Sequence, residues 1–376
     1  MVIKNLNGDI KMIDLKAFIK RPFQFEGTPM HPNVLLMCKI MVLLLVAHHI
    51  FSKIDDPYIP FIPALDHLND YPNLFKYSMR SLFVLSAFAL LFNLKVRIAS
   101  IIIGIVIIIN MLASKPVFNN HTFICACALF LAGLTNNKQT PYLLILQLSL
   151  VYFGASINKF LEADWWSGAF MDNWLGNARE NPIYLYVSKF LPELVLAKLL
   201  SYVAMFTEFA IAILLLFKRT RNLTIWFIII FHVSLFTLTS FRFGHFIESL
   251  MITLLAFLSI PKQQLDINYD TPKLKPLKLV FNWLDFDDKH VWKPIAFQNS
   301  KWLSLTIKSK TIYNHEALKD ILLYTPNFFM LLFFIDSVIY ILLYNHRTVL
   351  FIINALFIWS MIFYFLPISW HKLKKK

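Results

Sequence analysis

Long apolar runs recur along most of this chain, and they constrain its fold more than any other feature. Eight runs are each close to the length at which a helix crosses about 30 Å of hydrocarbon. They cover residues 34–52, 77–94, 97–113, 121–135, 141–161, 194–217, 223–240 and 243–260. The sequence therefore predicts an all-α polytopic membrane bundle.

Two more apolar stretches, 320–344 and 348–366, follow a polar interval. If both cross the bilayer as a hairpin, the bundle has ten spans rather than eight, and the basic tail lies on the side of the N-terminus. Pro326 and Asp336 interrupt the first stretch, which leaves open that it packs at the membrane surface. The predicted domains are an amphipathic cytoplasmic segment (1–33), a transmembrane domain (34–260), a cytoplasmic region (261–319) and a hydrophobic hairpin with a basic tail (320–376).

The composition excludes a soluble protein, because 58% of the residues of the whole chain are hydrophobic and only 15% are charged. The net charge of +14 does not indicate nucleic-acid binding, since the lysines and arginines fall in short clusters between the apolar runs. Alternate loops carry these clusters, whereas the opposite loops are acidic or nearly neutral. We expect a protein of a bacterial inner membrane with both termini cytoplasmic and residues 163–189 outside.

The N-terminal segment alternates lysines with short apolar patches. This pattern predicts an amphipathic helix that lies on the cytoplasmic membrane surface. Its apolar side carries Ile10, Ile13, Leu15, Phe18 and Ile19.

Ionisable residues inside the spans are costly in lipid, so each one is a candidate functional residue. On the predicted topology, most of them fall in the outer half of the membrane. The set is His48, His49, His121, Lys159, Glu208, His232, Arg242, His245 and Glu248. Arg242, His245 and Glu248 recur every three residues, and Tyr152 and Lys159 lie two turns apart, so two polar stripes can face one cavity.

Each of these residues also has a purely structural interpretation. Lys159 can extend to the membrane interface, Arg242 and Glu248 can form a structural ion pair, and His232 can bond a neighbouring helix. The concentration of such groups at one depth favours a functional site, because independent structural groups have no reason to collect there.

The stretch "YFGASINKFLEADWWSG", residues 152–168, resembles a motif of the horizontally transferred transmembrane (HTTM) family, in which a lysine precedes Asp-Trp and a glycine. Lys159, Asp164, Trp165 and Gly168 match this motif. A second stretch, "FHVSLFTLTSFRFGHF" at 231–246, is similar to the histidine-bearing span and Phe-Gly turn of the family, through His232 and Gly244. The resemblance covers roughly residues 25–260.

The resemblance implies a lysine-base membrane enzyme. In the best-known family member, the vitamin K-dependent gamma-glutamyl carboxylase, a lysine acts as base on a reduced quinone, and a glutamate carbanion then takes up carbon dioxide. A membrane site suits this chemistry, because a lysine must be neutral to accept a proton and loss of hydration favours the neutral amine. The candidate cofactor is a reduced quinone.

Two departures separate this chain from the carboxylase. The carboxylase has adjacent lysines, the second of which is the assigned base, whereas Phe160 follows Lys159 here. We also expect no counterpart of the long extracytoplasmic portion that holds the carboxylase's peptide substrate. Both departures favour a lipid-soluble or lipid-linked substrate over glutamyl carboxylation.

Residues 265–347 resemble, in order, the DCC thiol-disulfide oxidoreductase-like family of small thioredoxin-like domains. Tyr269 and Asp270 match the start of its "YDGDCPLC" strand and loop, but the chain continues "TPKLKP" where two thiols are expected. Redox exchange needs both thiols, so the resemblance implies a degenerate α/β domain that serves as a scaffold or docks a protein partner. The alternative is an ordinary lysine-rich cytoplasmic loop.

Two functions follow. The first is an enzyme, carboxylase-like or otherwise based on a lysine, whose outward-facing site acts on a lipid-soluble molecule; the second is a non-catalytic membrane binding or assembly protein with a structural polar cluster. The candidate catalytic residues are Lys159, His121, His232, His245 and Glu248, and the candidate substrate-binding residues are Asp164, Trp165, Arg242, Glu208 and Tyr152. No metal site is predicted, because His245 and Glu248 lack a third ligand at a fixed spacing.

Overall fold

The computed structural model describes residues 2–4, 10–12, 15–136, 141–239, 244–258, 260–261, 263–297, 300–307 and 309–343. The chain divides into two compact units. The first unit is Met1–Thr140 with Leu255–Ile341, and the second is Pro141–Leu254 with Leu342–Lys376. The predicted span at 348–366 and the basic tail lie outside the described residues.

The secondary structure is mainly helical. The helices are α1 (Leu15–Lys20), α2 (Pro32–Ala47), α3 (Ile50–Lys53), α4 (Pro72–Leu91), α5 (Val96–Ala113), α6 (Asn120–Leu134), α7 (Tyr142–Leu161), α8 (Ala163–Ser167), α9 (Ala169–Asp172), α10 (Pro182–Ser188), α11 (Val195–Leu214), α12 (Arg221–Leu238), α13 (Gly244–Leu254), α14 (Thr271–Leu284), α15 (Asn314–Leu323) and α16 (Pro326–Leu343). The strands are β1 (Val2–Lys4), β2 (Ile10–Met12), β3 (Leu265–Tyr269), β4 (His290–Pro294), β5 (Leu303–Ile307) and β6 (Lys310–Tyr313).

All eight apolar runs fall on helices, which agrees with a helical membrane bundle. Four helices, α4, α5, α7 and α11, are long and apolar enough to cross a bilayer, and the bent pair α15–α16 adds a fifth if it counts as one span. Helices α2, α6 and α13 are apolar but shorter, as is the part of α12 that spans Arg221–Phe236. Over the described residues, four or five spans therefore meet the length criterion, and eight to ten spans stay a prediction.

Helix α2 is the centre of the first unit. All of its residues except Leu43 and Val46 are buried, as is typical of a helix that is apolar around its whole circumference. Helix α4 instead exposes Leu82, Leu85 and Phe88, which suits a surface that faces lipid. The packing thus separates an inner from an outer helix.

One lysine lies within this central helix. The ammonium group of Lys39 donates hydrogen bonds to the backbone carbonyls of Arg21, Pro22 and Gln24 at 2.8–3.0 Å. These bonds satisfy all three of its donors. Lys39 therefore fixes residues 21–26, which we call the entry strap, against the start of the bundle.

The polar interval folds as a small α/β domain. Its four strands have the order β4-β3-β5-β6, with β3 parallel to β4 and antiparallel to β5, and with β5 antiparallel to β6. Alternate residues of β3 (Leu265, Ile267 and Tyr269) are buried and share one core with Phe281 of α14 and Ile321 of α15. The period of two is that of a strand with one buried face. The interval is thus a folded domain and not an ordinary loop.

The stretch 320–344 is not one straight helix. Helices α15 and α16 meet at a bend of 74°. Helix α15 packs Ala317 and Ile321 into the core of the α/β domain. The apolar helix begins only at Pro326, and proline suits a first helical position because its missing N–H would have no partner there.

The loop after α14 holds the α/β domain on the entry strap. The Asp287 carboxylate accepts hydrogen bonds from the backbone N–H groups of Phe25 and Glu26 at 3.2 and 3.3 Å. Burial raises the pKa of this carboxyl group, and the two N–H donors act in the opposite direction. Lys289 adds an ion pair of 2.5 Å to Glu26. The strap therefore connects Lys39 of α2 to the α/β domain.

The N-terminal segment differs from its prediction. Strands β1 and β2 pair antiparallel, and the helix begins only at Leu15. Leu15 and Ile19 are exposed, as an apolar face on a membrane surface requires. Ile10 lies on β2 and not on the predicted helix, and Ile13 is outside the described residues.

We expect the α/β domain to lose stability in mild acid through His290. Thr325 donates its hydroxyl hydrogen to Ile321, so it can only accept from Nε2 of His290, 3.3 Å away. Burial lowers the pKa of this imidazole, against the opposing effect of Asp285. The unfolded chain then takes up the proton first, so stability is full at neutral pH and falls as the pH drops below about 6.5, by at most about 1.4 kcal/mol per pH unit.

Thermal unfolding between pH 7.5 and 5.5 tests this expectation. The His290→Gln variant should lose this part of the pH dependence. His315, an exposed histidine on α15, provides the matched control, and His315→Gln should keep it. A pH profile of His290→Gln identical to that of the wild type would contradict the assignment.

Candidate functional site

The second unit carries a polar stripe along α7. Tyr152 and Ser156 are buried, and Lys159 follows in the last turn of the helix. The spacing of three and four residues places them on one face, as the sequence predicts. A lysine in the last turn also lies near the negative end of the helix dipole.

Lys159 forms an ion pair with Glu208 of α11. The two side chains are only 18% and 12% exposed. The ammonium group of Lys159 also donates to the carbonyl of Ala155 at 3.3 Å and lies 5.1 Å from the ring centroid of Trp165. Lys159 is therefore held against the protein by a carboxylate, a carbonyl and an aromatic face.

Tyr152 contacts His232 of α12. The phenol oxygen and the Nε2 atom of the imidazole are 2.6 Å apart, and both residues are buried. The Nδ1 atom of His232 has no hydrogen-bond partner within the part of the chain that the structure describes. The imidazole thus has one nitrogen engaged and one available.

The two pairs belong to one electrostatic neighbourhood. The charge of Glu208 acts on the phenol of Tyr152, and the charge of Lys159 acts on the imidazole of His232. We call Tyr152, Lys159, Glu208 and His232 the polar cluster. Three helices, α7, α11 and α12, supply its members, so the cluster requires the folded unit.

Helix α13 reaches the edge of this cluster. The ring of Phe246 lies 5.5 Å from that of His232. His245 and Glu248, one turn apart on the same helix, approach to 3.3 Å, and Glu248 is 1% exposed. The predicted pair thus forms. The third member of its stripe, Arg242, lies outside the described residues.

The rim of the site is the turn after α7. Asp164 is exposed in the first turn of α8, and the ring of the next residue, Trp165, faces the ammonium group of Lys159. Gly168 then reverses the chain with φ +85°, and a Cβ there would meet the backbone nitrogen of Lys198 at 2.7 Å. The family motif therefore has a physical basis, because only glycine fits both the backbone angle and the contact.

Sequence reasoning missed the polar contacts around α10. The hydroxyl of Tyr184 donates to the Asp172 carboxylate at 2.5 Å. Burial is the main cause that raises the pKa of this phenol, and the contact with Asp172 adds to it. Asn181 caps α10 by accepting from the N–H of Tyr184 at 2.8 Å, and donates to the carbonyl of Leu238. The Asn-Pro pair at 181–182 is a helix-start signal that could have located this cap.

His121 belongs to the first unit and not to the unit of the polar cluster. It lies in the first turn of α6, and its ring is 5.7 Å from that of His48. These two predicted residues therefore form their own contact. Their role stays a prediction.

An apolar groove of about 440 Å³ lies between α11 and α12. Its lining residues are Tyr202, Val203, Phe206, Thr207, Ala210 and Phe227. The rings of Phe206 and Phe160 are 5.5 Å apart, so the groove borders the end of α7 where the polar cluster lies. A groove of this lining suits an apolar molecule.

Comparison with known proteins identifies one family. The model of the HTTM domain matches residues 135–261, which include the whole polar cluster and the His245–Glu248 pair. No curated protein and no solved structure matches the chain. The apolar helices, together with this match over about a third of the chain, indicate an integral membrane protein that is similar to the HTTM domain over residues 135–261.

Proposed function

We propose that the polar cluster is the site of acid/base chemistry on a lipid-soluble or lipid-linked molecule. The observation that carries this proposal is Lys159, which is paired with Glu208 beside the Tyr152–His232 hydrogen bond. A cation, a carboxylate, a phenol and an imidazole are the groups that general acid/base catalysis uses. Such groups are costly in a membrane helix, so their presence together supports a function.

Lys159 can act in two ways. As an ammonium group it attracts an anionic oxygen of the substrate; as a neutral amine, after transfer of its proton to Glu208, it accepts a proton from a substrate hydroxyl. Both forms of the pair carry no net charge, so the transfer does not leave an isolated charge in a region of low dielectric. Glu208 is thus the proton partner that makes a lysine base feasible here.

Tyr152 and His232 can extend the path of the proton. A phenol and an imidazole can each donate and accept, and a separation of 2.6 Å allows the proton to pass between them. The unengaged Nδ1 of His232 is the end of this path that is available to a proton. His245, Glu248 and Arg242 are proposed as further relay or binding residues, and the catalytic role of His121 stays a prediction from the sequence.

The groove and the similarity to the HTTM domain support one substrate class. An apolar molecule can approach along the groove at Phe206, and a reduced quinone, the class used by the carboxylase of this family, has the acidic hydroxyls that a lysine base needs. Trp165 and Asp164 would form the wall and rim of its site. Phe160 packs against Trp166 and Phe206, so the position of the carboxylase's second lysine belongs here to an aromatic contact.

Oxygen uptake tests the enzymatic proposal. A hydroquinone reacts with oxygen mainly in its deprotonated form, so a base accelerates the uptake. With the purified protein in nanodiscs and a reduced short-chain naphthoquinone, we expect uptake above background that Lys159→Met lowers by about 100-fold or more. Lys198→Met, which removes an exposed lysine of α11, should not change it. Unchanged uptake in Lys159→Met would contradict the proposal.

A non-catalytic binding protein is the second candidate, and the ion pair is also the observation that favours it. A lysine held by Glu208, a carbonyl and an aromatic ring is well suited to anchor a ligand without reacting. Saturable quenching of tryptophan fluorescence by the quinone, without oxygen uptake above background, would support this function.

We further propose that the α/β domain is a degenerate DCC-like module in the cytoplasm of a bacterium, with both chain termini on that side. A parallel β-α-β unit followed by an antiparallel hairpin and a helix, in the order β4-β3-β5-β6, supports a thioredoxin-like arrangement. Asp270 directly follows β3, at the point where the family begins its thiol loop, and α14 starts at once with Thr271 and Pro272. Such a module would serve as a scaffold or dock a protein partner, and it would not exchange disulfides.

A further inference from the structure

Helix α14 has two apolar faces, and the α/β core uses only one of them. Leu274, Leu277, Phe281 and Leu284 point toward the sheet. On the opposite side, Leu279, Val280 and Trp283 are 64, 52 and 62% exposed. Large exposed groups in one patch mark an interaction surface rather than a solvated one.

The exposed residues follow helical spacing. Pro272, Pro276, Leu279, Val280 and Trp283 recur at intervals of four, three, one and three residues, so they form one stripe along the helix. We call it the outer stripe.

Lysines flank the outer stripe. Lys273 and Lys275 are exposed and project on either side of it, whereas Lys278 turns toward the sheet and donates to the phenol of Tyr269 at 3.2 Å. An apolar stripe with an aromatic residue and flanking lysines is the composition of helices that lie at a membrane surface.

The end of α14 is fixed beside the starts of two apolar helices. Asn327, the second residue of α16, donates to the carbonyls of Leu284 and Phe23 at 2.9 and 2.8 Å. The ring of Phe23, in the entry strap that leads to α2, stacks on Phe286 at 4.9 Å. Trp283 therefore lies next to the level at which α2 and α16 begin.

We propose that the outer stripe lies on the membrane surface at the side where α2 and α16 begin, with Trp283 and Leu279 at the boundary of headgroups and acyl chains and with Lys273 and Lys275 on the phosphates of anionic lipids. Tryptophan and lysine are the residues that prefer this depth. A membrane explains the stripe better than a protein partner does, because the end of α14 is bonded to the first turn of the apolar helix α16 and packs on the entry strap that leads to α2.

Spin labels on the full-length protein test this placement. Cys38, Cys125 and Cys127 are first replaced by alanine, and a single cysteine is then introduced at Leu279 or Val280 within the stripe. Asn282 on the side of the same helix and Lys301 elsewhere in the domain are the control positions, since both are exposed. Each variant is reconstituted in nanodiscs of phosphatidylcholine alone or with phosphatidylglycerol.

Collision with oxygen, which concentrates in lipid, is compared with collision with a water-soluble nickel chelate. We expect oxygen to dominate at 279 and 280 and the chelate to dominate at 282 and 301. The preference for oxygen at 279 should increase with phosphatidylglycerol and should lose that increase in the variant with both Lys273→Gln and Lys275→Gln. Trp283→Ala should reduce it in both lipids.

Two results would overturn the proposal. Dominance of the chelate at 279 and 280 in both lipid compositions would place the stripe in water. Protection of both labels from oxygen and from the chelate would show that protein covers the stripe. The labelled positions are exposed, so the labels should leave the fold unchanged. The collision rates at 301 give the response of an exposed site elsewhere in the folded domain, against which the rates at 279 and 280 are compared.

Discussion

Replacement of Glu208 by leucine should be one of the most damaging single changes in this protein. Leucine has a similar volume and suits a membrane helix, so the packing of α11 can persist. The change leaves Lys159 without its carboxylate in a site where it is 18% exposed. Loss of one partner of a buried pair costs about 3–5 kcal/mol, and we expect about 3, because Lys159 keeps the Ala155 carbonyl and the Trp165 ring.

The matched test is a double-mutant cycle. Lys159→Met alone strands the Glu208 carboxylate, and we expect a similar loss. In the double variant no charge is stranded, so its loss of stability should be much smaller than the sum of the two single losses. Unfolding free energies measured in bicelles give the coupling, with Lys198→Met as a control that stays within about 0.5 kcal/mol. Additive losses would show that Lys159 and Glu208 do not depend on each other.

Gly168→Ala should have an effect of comparable size. A residue other than glycine at φ +85° costs about 1–2 kcal/mol, and the added Cβ would overlap the backbone of Lys198, at 2.7 Å from its nitrogen and 3.0 Å from its Cα. Overpacking of this kind costs about 1–3 kcal/mol more, since neither backbone can yield without moving α11. The total is about 3 kcal/mol.

Gly27 separates these two contributions. Its φ of +73° resembles that of Gly168, but nothing lies within 4 Å of a Cβ added there. Gly27→Ala should therefore cost only the backbone part, about 1–2 kcal/mol. Thermal unfolding of both variants checks the difference. Equal losses would mean that the contact with Lys198 is not responsible.

Length and hydropathy could predict the helices, because a run of apolar residues has few other structures in lipid. The residues at which the helices begin and end were less predictable. The stretch 320–344 is uniformly apolar near its middle, yet Ala317 and Ile321 pack on strands that lie earlier in the chain, and the bend before Pro326 depends on that contact. The pairing of β1 with β2 was not predictable either, because the helical spacing of Leu15, Phe18 and Ile19 suggested one helix for the whole N-terminal segment.

The residues of the candidate site could be predicted from the sequence, but the contacts between them could not. Spacing along α7 gives the face of Tyr152 and Lys159, and the cost of charge in lipid singles out Glu208 and His232. Which residue meets which depends on how α7, α11 and α12 pack, and Glu208 is 49 residues away from Lys159. The sequence interpretation made Glu208 a candidate substrate-binding residue and did not foresee its contact with Lys159; its role stays a prediction.

Mass spectrometry of the lipids that co-purify with the protein tests the central claim most directly, namely that the polar cluster binds and acts on a molecule and does not only join helices. The comparison is between the wild type, Lys159→Met and the control Lys198→Met, each purified in the same detergent. We predict a lipid-soluble compound of the quinone class, or another molecule with an acidic hydroxyl, that is enriched with the wild type and with Lys198→Met and is lost with Lys159→Met. Identical lipid profiles for all three proteins would contradict the claim and leave a structural ion pair.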